Sequence, residues 1–179
     1  MTAPPFVISR LTDEAQAAAL HALVQGVFGA LKIDPPSSML RETVADVAAR
    51  LRRETCFVAR AEGRLIGSVF CVVAFSSEVD TGSRQENAST QDSRAGAALY
   101  IGRLAVAPDW RRRGVAGALI EAAKDEARRL GARRMTLKAR IALADNVALF
   151  RRHGFAVVAE ETHSGYTHPT SYAMELVLK

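Results

Sequence analysis

Residues 104–119 constrain this chain most: an apolar strand, a turn rich in arginine and small residues, and the start of an amphipathic helix. The segment reads LAVAPDWRRRGVAGAL. The first backbone N–H groups of a helix lack partners within it, and together with the helix dipole they attract anions. Gly114, Ala116 and Gly117 leave room for a phosphate to approach the backbone. The arginines at 111–113 add positive charge, so the segment predicts a phosphate-binding turn.

Charge patterning also favours an anionic partner. The chain carries a net charge of +5, and residues 103–134 hold nine Lys or Arg against four Asp or Glu, which accounts for the whole excess. Nucleic acid and a phosphorylated cofactor both fit such a basic segment. A nucleic-acid surface interleaves aromatic side chains with its arginines, whereas here only Trp110 is near them. We therefore expect no nucleic-acid partner.

The turn differs from two common nucleotide-binding motifs. It does not read G-x-G-x-x-G, and no acidic residue ends a second parallel strand about 20 residues further on, as a nicotinamide dinucleotide site would require. No G-K-[ST] follows the glycines, which excludes a nucleoside-triphosphate loop. What remains is a diphosphate that the backbone holds without a metal.

Length and composition predict one domain over residues 1–179, since 49% of the residues are hydrophobic and 24% are charged. No apolar run reaches the roughly 18 to 20 residues of a membrane-spanning helix, and no secretory signal is visible. We expect a cytoplasmic protein with no membrane partner. Cys56 and Cys71 lie in apolar stretches, which predicts reduced core cysteines and no metal site.

Hydrophobic periodicity predicts the elements of the first half. A helix follows Thr12 as its N-cap and ends before the prolines at 35–36, and a second helix begins near Ser37 or Ser38. A hairpin with its turn at 62–63 comes next. Residues 76–96 contain one large aliphatic residue and no periodicity. We predict that they form a mobile surface loop inserted into the domain.

The second half mixes strands and helices. The predicted strands are Leu99–Val106, Met135–Ala139, Phe155–Ala159 and Tyr172–Leu178, and the predicted helices span Gly114–Leu130 and run from Asp145 or Asn146 to Gly154. The whole order is α-α-β-β-loop-β-α-β-α-β-β. Hairpins near both ends favour an α+β fold with a mixed sheet over a doubly wound parallel sheet.

Two motifs in this second half resemble a known family. Arg111, Gly114 and Ala116 match the R/Q-x-x-G-x-G/A motif of the GNAT superfamily of N-acetyltransferases, and the preceding strand is similar to its L-x-V-x-P. Residues 146–155, NVALFRRHGF, are similar to its N-x-x-L-Y-x-x-x-G-F. The matches cover about a third of the chain, in the family's order and spacing. The resemblance implies a single GNAT-like domain with a mixed, mostly antiparallel sheet flanked by helices.

The resemblance also implies acetyl-CoA as the acyl donor. The strand at 104–106 would open with a bulge, pair its backbone with the pantetheine arm and polarise the thioester carbonyl with one N–H. Residues 111–117 would hold the pyrophosphate, and Asn146 would bond coenzyme A near its reactive end. The implied cofactor-binding residues are Leu104, Ala105, Val106, Arg111, Arg112, Arg113, Gly114, Val115, Ala116, Gly117, Asn146 and Phe150.

Two positions depart from the family pattern. Phe150 stands where many relatives have a tyrosine that protonates the leaving thiolate, and phenylalanine cannot donate a proton. A coenzyme A thiol, with a pKa of about 8.5, needs little help to leave. Tyr100 stands where some relatives have a glutamate base, and a phenol is a poor base at neutral pH. His163 and His168 are further candidate bases, because imidazole titrates near neutrality; the alternative for their polar turn is a solvated hairpin.

The predicted function is transfer of an acetyl group from acetyl-CoA to an amine by direct attack in a ternary complex. No Cys or Ser stands in an evident nucleophile setting, which disfavours an acyl-enzyme. The acceptor is a small-molecule amine or a protein N-terminus. The alternative is a non-catalytic acyl-CoA sensor with the same fold. The last two strands could add to a partner's sheet, which leaves a homodimer open.

Overall fold

The computed structural model describes residues 6–74 and 98–179. In these ranges there are seven strands: β1 Val7–Leu11, β2 Thr55–Ala61, β3 Arg64–Ala74, β4 Ala98–Val106, β5 Arg134–Arg140, β6 Ala156–Glu161 and β7 Ser171–Val177. The four α-helices are α1 Ala17–Gly29, α2 Val44–Arg53, α3 Val115–Arg129 and α4 Ala144–Arg152. Short 3-10 turns occupy Glu14–Gln16, Ser38–Arg41 and Pro108–Trp110. The loop predicted at 76–96 lies outside the described residues.

The strands form one sheet in the order β1-β2-β3-β4-β5-β7-β6. Neighbouring strands run antiparallel except β4 and β5, which are parallel. The predicted α+β fold with a mixed, mostly antiparallel sheet is therefore confirmed. The parallel pairing is short, from Ala98 opposite Arg134 to Tyr100 opposite Thr136. Within the described residues β4 and β5 separate beyond that point, which opens the middle of the sheet.

Helices cover both faces of the sheet. Helix α3 buries Leu119, Ile120 and Ala123 against one face, and α4 lies on the same side. Helices α1 and α2 bury Leu20 and Val47 against the other face. Strands β2, β3 and β4 place side chains in both cores, because successive residues of a strand point to opposite faces. None of the helices in the described ranges has the length and hydrophobicity that a membrane span needs.

The structure adds one strand to the predicted elements and corrects three helix starts. Residues 7–11, for which the sequence pattern predicted no element, form the edge strand β1; its alternation is weak because only Leu11 is buried. Asp13 rather than Thr12 caps the first turn, and its Oδ1 accepts the Ala15 N–H at 2.9 Å. The second helix begins after Thr43, where a capping box with Asp46 satisfies two backbone donors.

The third corrected start is that of α4. This helix begins at Ala144, with Leu143 as its N-cap. Asp145 lies within the first turn, where its carboxylate complements the helix dipole.

Candidate active site

The predicted phosphate turn forms the N-terminus of α3. Arg112 and Gly114 both adopt positive φ angles, +59° and +83°, which turn the chain from the 3-10 segment into the helix. Gly114 is the N-cap and has no side chain to cover the first N–H groups. A Cβ built at this position would meet nothing within 4 Å, so the space above the helix end is open. The backbone donors therefore face a space that an anion can occupy.

The three arginines of the turn have different surroundings. Arg111 and Arg112 line the cavity that extends from the turn. The Arg113 guanidinium instead lies 5.0 Å from the ring centroid of Trp110, a cation–π contact. Trp110 is only 7% exposed and also borders the cavity. The arginine run therefore supplies two candidate phosphate contacts and one contact that covers the tryptophan.

A bulge interrupts β4 beside the turn. Gly102 pairs with Phe70 and Ala105 pairs with Ser68, so Arg103 and Leu104 both stand opposite the single residue Val69. Arg103 adopts a φ of +53°. This bulge re-aims the residues that follow, and Leu104 and Val106 face the cavity.

The cavity has a volume of about 940 Å³ and touches elements from both faces of the sheet. On one face it borders the N-terminus of α3 and most of α4. Its other lining residues include Val27, Phe28 and Leu31 of α1 and the segment after it, on the opposite face. One cavity can reach both faces only where the sheet has opened, which is the gap between β4 and β5.

Most residues predicted to bind the cofactor border this cavity. They are Leu104, Val106, Arg111, Arg112, Gly114, Val115, Ala116, Gly117, Asn146 and Phe150. Ala105 points the other way and is buried in the α1–α2 core. Arg113 covers Trp110, as described above. The structure therefore brings the two motifs together from segments about 30 residues apart in the chain, as expected of a site built by a βαβ crossover.

Helix α4 adds a histidine that the motifs did not single out. His153 follows Asn146 and Phe150 at helical spacing and borders the cavity with them. Its Nδ1 lies 3.0 Å from Oε1 of Glu121 on α3, so it donates to that carboxylate. A Cβ at Gly117 would lie 3.3 Å from its Nε2. Because residue 117 is a glycine, the imidazole of His153 can lie beside the turn. This contact joins two helices, so no local sequence pattern predicts it.

Tyr100 lies on β4 before the bulge, outside the described cavity lining. Its ring covers Gly102, where a Cβ would come within 3.0 Å of the tyrosine Cε1. Burial raises the pKa of the Tyr100 phenol, and nearby Lys138 and Arg103 only partly oppose this. The phenol therefore keeps its proton at neutral pH and is unsuited to act as a base.

The polar turn with the two histidines is tied to the loop after α1. Arg140 donates to His163 Nε2 at 2.9 Å and to the carbonyl of Pro35. Tyr166 donates its hydroxyl to Asp34, and the His168 ring packs edge-on against Tyr166 at 5.9 Å between centroids. Both histidines belong to this contact between loops, and neither borders the described cavity.

The contact with Arg140 limits what His163 can do. A guanidinium only donates, so the lone pair of His163 Nε2 is occupied where this bond is formed. Nδ1 of the same ring then donates to Thr170 Oγ1. A base role for His163 would require the bond to Arg140 to open.

The cysteines are buried and unpaired. Burial raises the pKa of both thiols, that of Cys71 to about 12. They are therefore protonated at neutral pH and do not offer a nucleophile.

The sheet opens next to the N-terminus of α3, and sequence comparison identifies the family with this arrangement. The model of the acetyltransferase (GNAT) family matches residues 18–155, which is most of the chain. The protein therefore belongs to the GNAT acetyltransferase family. None of the curated proteins matches the chain in sequence.

Solved structures share the fold along nearly the whole chain. A GNAT acetyltransferase from Streptococcus pneumoniae has a TM-score of 0.74 at 16% identity, covering 98% of this chain and 100% of that one. The yncA protein of Salmonella typhimurium, solved with its cofactor acetyl-CoA, has a TM-score of 0.66 at 20% identity, covering 98% and 95%. The ribosomal-protein-alanine N-acetyltransferase of Brucella melitensis has a TM-score of 0.68 at 17% identity, covering 96% and 99%. The acetyl-CoA in the Salmonella structure agrees with the predicted acyl donor.

Proposed function

We propose that this protein transfers an acetyl group from acetyl-CoA to an amine by direct attack in a ternary complex. The observation that carries the proposal is the single cavity that runs from the N-terminus of α3 to both faces of the sheet. A donor bound on the α3 face and an acceptor entering from the α1 face would meet in the gap between β4 and β5. Family membership and the acetyl-CoA in a structure of the same fold support this reading.

The donor half of the proposal rests on backbone groups. The pyrophosphate would lie on the first N–H groups of α3, with Arg111 and Arg112 beside it. The pantetheine arm would follow β4 beyond Tyr100, where the strand has left its β5 partner and its edge can pair with another extended chain. Asn146 and Phe150 of α4 would border the arm from the far side.

The reaction itself needs little from side chains. The acceptor nitrogen attacks the thioester carbonyl, the C–N bond forms and the C–S bond breaks, and the amine proton is passed to the thiolate or to water. A backbone N–H at the bulge of β4 would stabilise the negative charge on the carbonyl oxygen. Because a thiol with a pKa of about 8.5 is a good leaving group, Phe150 need not be a proton donor.

An acceptor present as an ammonium ion must lose one proton before it attacks, in addition to the proton that the amine loses as the amide forms. Tyr100, His163 and His168 remain the candidate catalytic side chains, and their surroundings argue against two of them: Tyr100 holds its proton and His163 is bonded to Arg140. His168 lies against Tyr166 at the loop contact. We therefore propose that water in the cleft deprotonates the acceptor, with positioning as the main source of rate.

The acceptor is proposed to enter on the α1 face. Val27, Phe28 and Leu31 offer an apolar wall there, and the loop that follows Leu31 in the chain is bonded to the polar turn. A small-molecule amine and a protein N-terminus both fit an opening of this kind. The Brucella protein of the same fold is a ribosomal-protein-alanine N-acetyltransferase, which supports keeping a protein N-terminus as a candidate acceptor. A homodimer and a cytoplasmic location stay predictions.

A non-catalytic acyl-CoA sensor is the second candidate. Two side chains lack the proton-transfer chemistry expected at their positions, which favours this candidate. Phe150 has no proton to donate, and burial raises the pKa of the Tyr100 phenol, which makes it a poor base. A sensor would bind acetyl-CoA and release no thiol above background with any amine. An enzyme would release thiol with at least one class of acceptor in a panel of amino acids, polyamines, aminoglycosides and peptides.

A matched pair of glycine variants tests the proposed donor site. Gly114→Glu places a carboxylate in the open space above the α3 N-terminus, where like-charge repulsion should weaken CoA binding about 100-fold. Gly131→Glu is the control, because Gly131 also has a positive φ and open space but lies at the other end of α3. Titration calorimetry with CoA measures both. Equal affinities in the two variants would refute the site.

A further inference from the structure

The bulge of β4 carries an arginine whose side chain is fixed. Arg103 Nε lies 3.1 Å from Oε2 of Glu42, and its Nη2 donates to Oε1 of the same carboxylate. Both side chains are only 14% exposed. The guanidinium and the carboxylate therefore form a two-point pair that is largely shielded from water.

Glu42 is itself held from several directions. Arg50 Nε lies 2.9 Å from Oε1 of Glu42. The Glu42 carbonyl accepts from His21 Nε2 at 2.9 Å and from Gln25 at 3.4 Å, both on α1. Burial alone would raise the pKa of Glu42, but the two arginines outweigh it and lower that pKa. The carboxylate is thus ionised at neutral pH and held rigidly between α1, α2 and the bulge.

This network is better suited to fixing a geometry than to adding stability. Shielded ion pairs contribute little net stability because desolvation offsets their attraction, and their best-attested use is to select one arrangement among several. Arg103 sits at a φ of +53°, a conformation that residues with a Cβ rarely adopt. A bulge with such a residue at its first position needs something else to hold it. The Arg103 side chain supplies two contacts, the two-point bond to Glu42 and a cation–π contact with Phe70, whose ring centroid lies 5.9 Å away.

We propose that the Glu42–Arg103 pair clamps the bulge so that the backbone N–H of Leu104 is aimed at the thioester carbonyl. Arg103 and Glu42 are positioning residues in this proposal, since they act on the reaction through the backbone. The proposal rests on the proposed acetyl-CoA function and deepens it. It also connects the segment after α1, on the acceptor side, to the backbone that would polarise the donor.

Isotope-edited infrared spectroscopy tests the clamp without an acceptor. The carbonyl band of bound [¹³C]acetyl-CoA shifts to lower frequency when the oxygen accepts a hydrogen bond, and CoA affinity is measured separately by calorimetry. We expect Arg103→Ala and Glu42→Gln to lose most of the wild-type band shift, with the dissociation constant of CoA changed by less than about threefold. The two variants remove the pair from opposite ends, so the test survives if one of them folds poorly.

Two further variants separate positioning from a structural role. Arg103→Gly also removes the side chain, but glycine adopts positive φ without a steric penalty. We expect it to recover much of the band shift that Arg103→Ala loses. Arg50→Ala is the matched control: it removes the other arginine from the same carboxylate and leaves the bond to Arg103, so it should lower the melting temperature and keep the band shift.

The outcomes distinguish the two proposals. A wild-type protein that binds neither CoA nor acetyl-CoA overturns the proposed function and the clamp with it. Normal CoA binding with an unchanged carbonyl band in folded Arg103→Ala and Glu42→Gln overturns the clamp alone. Equal losses of the band shift in Arg103→Ala and Arg103→Gly also overturn it, because a bulge-holding role requires glycine to be better than alanine.

Discussion

The two ends of the central cavity are built by different means. At the α3 end, residues 111–117 present backbone N–H groups and small side chains that are consecutive in the chain. On the α1 side, the loop that follows the lining residue Leu31 is held by contacts between residues more than 100 positions apart, Arg140 with Pro35 and Tyr166 with Asp34. The first end depends on local conformation, and the second depends on the whole sheet placing distant loops together.

This difference has a functional consequence. A diphosphate is the same in every acyl-CoA, so a backbone site can bind it with few demands on side chains. Acceptors differ, and the surface that receives them has to be made of side chains on loops. Variants at the two ends should therefore affect donor affinity and acceptor affinity separately, and the predictions below test that separation.

The largest effect is expected at the turn. Arg111→Ala with Arg112→Ala removes two charged donors that border the cavity, and a hydrogen bond to a charged group contributes about 1.5–3 kcal/mol. CoA affinity should fall at least about 100-fold. Arg113→Ala, which removes the arginine over Trp110, should change it by less than about threefold. Calorimetric titrations with CoA measure the wild-type protein and both variants. An equal loss of affinity in the two variants would show that the arginine run acts only as diffuse positive charge.

A smaller effect, confined to the acceptor, is expected at the loop contact. Arg140→Ala removes the donor to His163 and to the Pro35 carbonyl, so the loop after α1 should lose its fixed position. The KM for the acceptor should rise about tenfold, roughly the value of one charged hydrogen bond, while the dissociation constant of CoA stays the same. Arg151→Ala, on the exposed side of α4, is the control. A parallel loss of CoA affinity would show that the two ends are not independent.

The same contrast explains what the sequence could predict. The turn, the helix it opens and the strand before it follow from local spacing, and the family motifs add their order. The edge strand β1 was missed because only one of its five residues is buried, which leaves no alternation to detect. His153 beside Gly117, Arg140 between two loops and Glu42 beneath the bulge were missed because each contact depends on tertiary packing. A local sequence pattern does not show which side chain from a distant part of the chain will form a tertiary contact with it.

Tyr100→Phe should have a still smaller effect, confined to the rate. Since burial raises the pKa of the phenol above its usual value of 10, the group stays protonated across the range in which an amine acceptor loses its proton. Removing the hydroxyl should therefore lower kcat by less than about threefold and leave the rise of rate with pH unchanged. A pH–rate profile from pH 6 to about 10 measures this. Loss of the alkaline rise in the variant would reinstate Tyr100 as the base.

The smallest effect is expected at Phe150, the position at which the chain departs from the family motif. Phe150 is 8% exposed, borders the cavity and packs edge-on against Phe155 with ring centroids 6.1 Å apart. Phe150→Tyr adds a hydroxyl toward the cavity, so stability should change by less than about 1 kcal/mol. Where thiolate departure limits the rate, kcat should rise a few-fold, and CoA affinity should not change. A variant that unfolds would show instead that the edge of the Phe150 ring faces the core. A hydroxyl on that ring could then not reach the departing thiolate in the cavity.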